Sequence, residues 1–196
     1  MLGALELDVG NVPIDALVCC GYKWLCGPYG TGFCWIEPGL RDQLRPTQTY
    51  WLPQVWGEEN LNVSTYTLKE EKGSVMFDVF CPANFLNFLP WRASIDLLLS
   101  IGIKKIEQHN RTLSEHLIQG LNKSKYRLMS QCEPDAQSSI IVISHVRPER
   151  NSQLHGELTA AGIDAGFRNN NLRFALHIYN TLKEVHRATS LMNRLS

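Results

Sequence analysis

Two short apolar runs, Ala16-Leu-Val-Cys-Cys20 and Gly32-Phe-Cys-Trp-Ile36, flank a stretch rich in glycine, tyrosine and proline. Apolar runs this short, bounded by Gly and Pro, predict buried strands, with the intervening residues forming a loop at the end of a sheet. Residues 1–15 carry alternating apolar positions at Leu5, Leu7 and Val9, followed by the turn signals Gly10-Asn11 and Pro13. Residues 37–75 are weakly patterned, and so long a segment predicts a functional loop or a connection, with Trp51, Trp56 and Tyr66 as packing anchors.

A strand-like start follows at Met76, and from Pro90 the period becomes helical. Ile95, Leu98, Leu99 and Ile101 form a stripe that stops at Gly102, and Leu113, Leu117 and Leu121 recur at four-residue spacing in a second helix ending near Asn122. The remainder alternates. Strands are expected over 126–129 and 139–145, the latter with the β-branched run Ile140-Ile-Val-Ile143. A helix over 152–161 precedes Gly162, strands over 164–167 and 172–176 flank a turn at Asn169-Asn-Asn171, and Thr181 caps a last helix to Leu195. The pattern predicts an α/β fold ending in a small α/β domain.

With 196 residues, 44% of them hydrophobic, and a formal net charge of zero, the chain can bury a sizeable core in one or two domains. The neutral balance removes the electrostatic case for nucleic acid or an anionic membrane as a dominant partner. Residues 1–8 lack a basic segment followed by a long apolar one, and no run is apolar enough to span a bilayer, so the expected location is cytoplasmic.

Lys23, between Tyr22 and Trp24, is the first candidate for chemistry. Desolvation in such a loop would favour the neutral amine, the form that attacks a carbonyl to give a Schiff base. A solvated lysine in a tight turn accounts for the same residues. Six cysteines, at 19, 20, 26, 34, 81 and 132, show no paired C-x-x-C spacing, and buried free thiols are expected rather than a disulfide framework or zinc. His109 and His116 share a helix face without carboxylate or cysteine company, so no metal site is expected. In the strand 172–176, alternation puts Arg173, Ala175 and His177 on one face and Leu172, Phe174 and Leu176 on the other, facing a core.

Gly21-Tyr-Lys-Trp-Leu-Cys-Gly-Pro-Tyr-Gly-Thr-Gly32 resembles the cofactor-lysine motif of the class V aminotransferases. These are pyridoxal 5'-phosphate enzymes of fold type I that include isopenicillin N epimerase-like proteins and cysteine desulfurases. Arg168-Asn-Asn-Asn-Leu-Arg-Phe-Ala-Leu-His-Ile-Tyr-Asn-Thr181 resembles that family's C-terminal signature. The resemblance implies a covalent cofactor anchor at Lys23, cofactor contacts from Tyr22 and Asn84, and a substrate α-carboxylate held by Arg173. A guanidinium matches a carboxylate bidentately, as an ammonium does not. It further implies an amino-acid substrate, a homodimer, and two parts: residues 1–89 as the remnant of a cofactor-binding large domain and residues 90–196 as a connecting helix and small C-terminal domain.

The motifs also depart from the family. Tyr22 stands where a histidine is usual, and Cys81-Pro82 replaces Gly-Thr, removing a hydroxyl and a backbone N–H. The family's ring-nitrogen aspartate, phosphate loop and stacking aromatic fall before residue 1 and are expected to be missing. No cysteine lies between Arg147 and Arg173, so the reaction expected is of epimerase, transaminase or lyase type rather than persulfide formation. The alternative is a truncated, non-catalytic homologue serving as a binding or dimerisation module.

Overall fold

Pairing begins with β1 (Ala16–Cys20) and β2 (Gly32–Ile36), an antiparallel ribbon in the register Ala16↔Ile36 to Cys20↔Gly32. The computed structural model describes residues 2–44, 73–77, 84–131, 133, 136 and 138–195. Its contacts separate two compact units, Leu7–Leu97 and Leu98–Ser196 with Met1–Glu6.

In the first unit both predicted strands form at the expected residues, but they are not buried. Val18 is 80% exposed and Phe33 40% exposed. Among the described residues each strand has a single neighbour, so the ribbon has no third strand to cover its edges. The alternation at Leu5, Leu7 and Val9 yields no strand. It leads instead into a turn in which Asp8 accepts from the Asn11 amide at 3.0 Å through its carbonyl and from the Gly10 amide at 2.8 Å through its carboxylate. After β2, Glu37 caps α1 (Pro38–Gln43) by accepting from the Leu40 amide at 2.8 Å, with Pro38 where a missing N–H costs nothing.

The predicted anchors Trp51, Trp56 and Tyr66 lie outside the described residues, as do Cys81 and Pro82. Ser74–Phe77, at the strand-like start, is a 3₁₀ turn. Helix α2 (Phe85–Ile101) starts five residues before Pro90, contrary to the expectation from the pattern, because proline forfeits only the bond to the Leu86 carbonyl. Leu86 is 88% exposed, so water can replace that donor.

In the second unit, Gly102 at φ +92° breaks the chain between α2 and α3 (Ile103–Gly120). Four strands then pair antiparallel in the order β3-β4-β6-β5: β3 (Tyr126–Leu128), β4 (Ile140–His145), β5 (Gly166–Arg168) and β6 (Asn171–Ala175). Helices α4 (Asn151–Ala160) and α5 (Leu182–Leu195) complete the unit. Ile141, Ile143, Leu172 and Phe174 of the sheet meet Leu113, Leu117, Leu154, Leu158 and Met192 of the helices in one core. The inward face of β6 is the one expected. At about 25 cal/mol per Å², each such side chain contributes roughly 1.5–3 kcal/mol when buried.

The ends are specified locally. Gly162, at φ +69°, follows α4, and the Ile163 amide returns to the Leu158 carbonyl at 2.9 Å. Thr181 and Glu184 cap α5 reciprocally: Glu184 Oε2 accepts from the Thr181 amide at 2.7 Å, and Thr181 Oγ1 from the Glu184 amide at 3.3 Å.

Candidate active site

The eleven-residue connection between β1 and β2 is held by its own backbone. The Gly21 amide donates to Thr31 O at 2.8 Å, the Gly27 amide to Gly21 O at 2.8 Å and the Cys26 amide to Lys23 O at 3.0 Å. Thr31 Oγ1 donates to Pro28 O at 2.7 Å. Glycine is required where the loop meets α2. A Cβ on Gly21 would stand 2.8 Å from Trp91 Cε2, and one on Gly27 would stand 2.9 Å from Trp91 Cγ. Trp91 itself is only 6% exposed. Two more α2 side chains fasten the loop, with Asn87 Nδ2 donating to Tyr29 O at 2.9 Å and Ser94 Oγ to Cys26 O at 3.0 Å.

Lys23 projects from this pinned loop and is exposed, which corrects the expected desolvation. The loop joins the ends of a two-stranded ribbon that has no third strand among the described residues. Lys23 Nζ lies 5.5 Å from the centre of the Tyr22 ring, which stacks on Tyr29 at 4.6 Å. No carboxylate among the described residues pairs with it. Cys26, three residues on, adopts φ +51°, uncommon for a residue with a side chain. Burial pushes the thiols of Cys26 and Cys19 up, with the neighbouring Cys20 adding to the effect at Cys19. Both therefore stay protonated and weakly nucleophilic near neutral pH. Cys19, Cys20, Cys26 and Cys34 are free.

Asn84 lies directly before α2, where its carbonyl accepts from the Asn87 and Phe88 amides at 3.1 and 3.0 Å. Its exposed side chain belongs to a residue type favoured at a helix start. The structure thus brings Tyr22 and Lys23 together in one loop and places Asn84 directly before the helix that fastens that loop. Asn87, Trp91 and Ser94 were not expected to do the fastening. Their spacing of four and three residues, one helical face, is the signal that points to them.

Arg173 belongs to the second unit, on β6 between Val142 of β4 and Gly166 of β5. It is half-buried, and its Cβ and Cδ lie 3.6 and 3.9 Å from where a Cβ on Gly166 would stand. The bare glycine gives the arginine stem its place. His177 does not share the open face expected for it. Strand β6 ends at Ala175, and His177 turns inward to 1% exposure, its Nδ1 3.5 Å from Asn110 Nδ2. Asn180 holds this turn by accepting from the His177 amide through Oδ1 at 3.0 Å. His109 Nε2 lies 3.0 Å from Asn180 O, a structural contact.

A second unforeseen group supports β5 and β6. Asn151, fully buried at the start of α4, accepts from the His145 amide at 2.8 Å and donates to Ser144 Oγ at 2.9 Å and Asn170 O at 2.6 Å. Asn170 answers by donating to Pro148 O at 3.1 Å. Asn169 and Asn170, at φ +48° and +58°, make the tight turn between β5 and β6. Nothing in the hydrophobic pattern marks Asn151, since a buried asparagine reads as a surface residue until its partners are known.

Residues 1–188 match the aminotransferase class-V family, and the chain belongs to it. It is 27% identical over 186 residues to the uncharacterised aminotransferase YcbU of Bacillus subtilis, covering 95% of this chain and 47% of that protein. Isopenicillin N epimerase of Streptomyces clavuligerus is 30% identical over 122 residues, 58% of this chain and 29% of the epimerase. The apo structure of a cysteine desulfurase from Thermococcus onnurineus superposes with a TM-score of 0.78 at 21% identity, over 98% of this chain and 50% of that one. The family is one of pyridoxal-phosphate-dependent enzymes, and the α/β fold is a part of fold type I. The chain spans about half the length of YcbU and of that desulfurase. No described helix is long and apolar enough to cross a membrane.

Proposed function

We propose that the chain takes part in pyridoxal-phosphate chemistry on an amino-acid substrate, of epimerase, transaminase or lyase type rather than as a typical cysteine desulfurase. The observation that carries this is Lys23, an exposed amine without a carboxylate partner among the described residues, on a loop whose backbone is pinned on both sides. An accessible primary amine beside a phenol fits a cofactor that bears an aldehyde and a phosphate. In this reading Lys23 anchors the cofactor, Tyr22 and Asn84 donate hydrogen bonds to it, and Arg173 holds the substrate carboxylate.

When bound, the cofactor supplies an electron sink for charge developing at the substrate Cα. Lys23 is then the base that moves the Cα proton, and Arg173 holds the substrate carboxylate. The protonated Cys19 and Cys26 thiols and the cysteine-free stretch between Arg147 and Arg173 argue against persulfide formation. The reading extends to a cytoplasmic homodimer in which residues 1–89 form part of the cofactor-binding domain and residues 90–196 the connecting helix and small domain. Incubation with pyridoxal 5'-phosphate, borohydride reduction and peptide mass mapping test the anchor. Label is expected on Lys23 and lost in Lys23→Ala; label scattered over other lysines overturns the assignment.

A second reading is a non-catalytic homologue acting as a binding or dimerisation module. It is favoured by the apolar surface at the start of α2, where Phe85, Leu86 and Leu89 are all exposed. Turnover of any amino acid by the purified 196-residue chain alone would exclude it.

A further inference from the structure

One face of the four-stranded sheet packs on the helices, and the other carries arginine. Arg173 on β6 pairs with Gly166 on β5, and Arg168 on β5 pairs with Asn171 on β6. Side chains two residues apart on a strand share a face, so Arg168 and Arg173 project from the same face as diagonal neighbours, with Cα atoms about 7–8 Å apart. The contact of Arg173 Cβ and Cδ with the site above Gly166 shows that its stem leans toward β5, the strand of Arg168. Arg127, opposite Ser144 on β3, lies on this face as well, but two strands from β6 and so about 10 Å away.

These two guanidinium groups differ from several others among the described residues. Arg41 and Arg111 pair with Asp42 and Glu107, Arg92 faces Asp96, and Arg150 and Arg187 donate to the Leu195 and Ala161 carbonyls. Arg168 and Arg173 have no hydrogen-bonding or ionic partner among the described residues, and no strand of the sheet contains an aspartate or glutamate. Two like charges held side by side on a rigid hairpin repel each other, and the hairpin is itself clamped by the Asn151–Asn170 contacts. An anion bridging both guanidinium groups relieves that repulsion and supplies forked acceptors to each.

We propose that Arg168 and Arg173 form a two-carboxylate site, so that the substrate is an amino acid bearing a second carboxylate on its side chain. The inference rests on the reading of Arg173 as the carboxylate anchor and adds Arg168 as the residue that selects the side chain.

Glutarate and valerate, five-carbon chains with two carboxylates and one, serve as probes in NMR titrations of the full chain. Glutarate is expected to bind about tenfold more tightly than valerate, as fits a second charge-assisted contact. Arg168→Gln should abolish that preference, while Arg127→Gln, outside the pair, should leave it intact; Arg168 is exposed, so the variant retains its core. An undiminished preference in Arg168→Gln, or none in the wild type, overturns the proposal. Arg173→Gln should weaken both probes. If it leaves valerate binding intact, the Arg173 anchor itself is wrong, a failure distinct from loss of the Arg168 effect alone.

Discussion

The two units solve the problem of burial differently. The unit of Leu98–Ser196 closes a core between one face of its sheet and three helices, with Leu113, Ile141, Ile143, Leu154 and Leu172 completely inaccessible. The unit of Leu7–Leu97 leaves Val18, Phe33, Phe85, Leu86 and Leu89 open to solvent, and holds its lysine loop by backbone bonds and three side chains of one helix. Hydrophobic content alone therefore does not predict where stability resides. What differs, among the described residues, is whether each apolar face finds an opposing element, as the sheet of the second unit does and the ribbon of the first does not.

Truncating side chains in the two units gives the sharpest contrast. Leu172→Ala should cost about 3 kcal/mol in urea unfolding, from lost transfer energy and the cavity left behind. Val18→Ala, at a position 80% exposed, should stay within about 0.5 kcal/mol. Equal losses at the two sites would break the comparison.

A smaller effect is expected from Asn151→Ala, which leaves the His145 amide and the Asn170 carbonyl without their buried partner. The cost is about 2 kcal/mol. Hydrogen exchange should accelerate first in β5 and β6, while the β1–β2 ribbon is unaffected; uniform acceleration across the chain would count against a local clamp.

The smallest effect is that of pH. Burial holds the His145 imidazole below its ordinary value of 6.5, against a weaker opposing effect from its Arg147 backbone bond, and the nearby Arg150 and Arg147 charges lower it further while Glu149 raises it. A histidine with a depressed folded-state pKa is neutral in the fold and takes up its proton first when unfolded. Its stabilising effect is complete above about 6.5 and is lost as pH falls from there through the folded value. The urea midpoint should accordingly fall below pH 6.5 in the wild type and fall less in His145→Phe.

Much of this was legible in the sequence because the signals are local. The strands Ala16–Cys20 and Gly32–Ile36, the Thr181 cap, Gly162 after α4 and the inward face of β6 all follow from spacing and turn chemistry within a few residues. The misreadings arise where distant neighbours decide. Lys23 is exposed on a loop whose two strands have no further partner among the described residues, His177 is buried because β6 ends at Ala175, and α2 runs through Pro90 because solvent reaches the carbonyl that proline leaves behind. The candidate residues were found by motif, whereas Asn87, Ser94 and Asn151, which position the loop and the hairpin, became visible only with their partners.

The packing of Trp91 against Gly21 and Gly27 has an optical consequence. An indole shielded from water and pressed on the backbone of the Lys23 loop fluoresces according to whether that loop stays seated. The difference between the emission spectra of the wild type and Trp91→Phe therefore isolates a signal native to the chain, one that follows the loop without an attached dye.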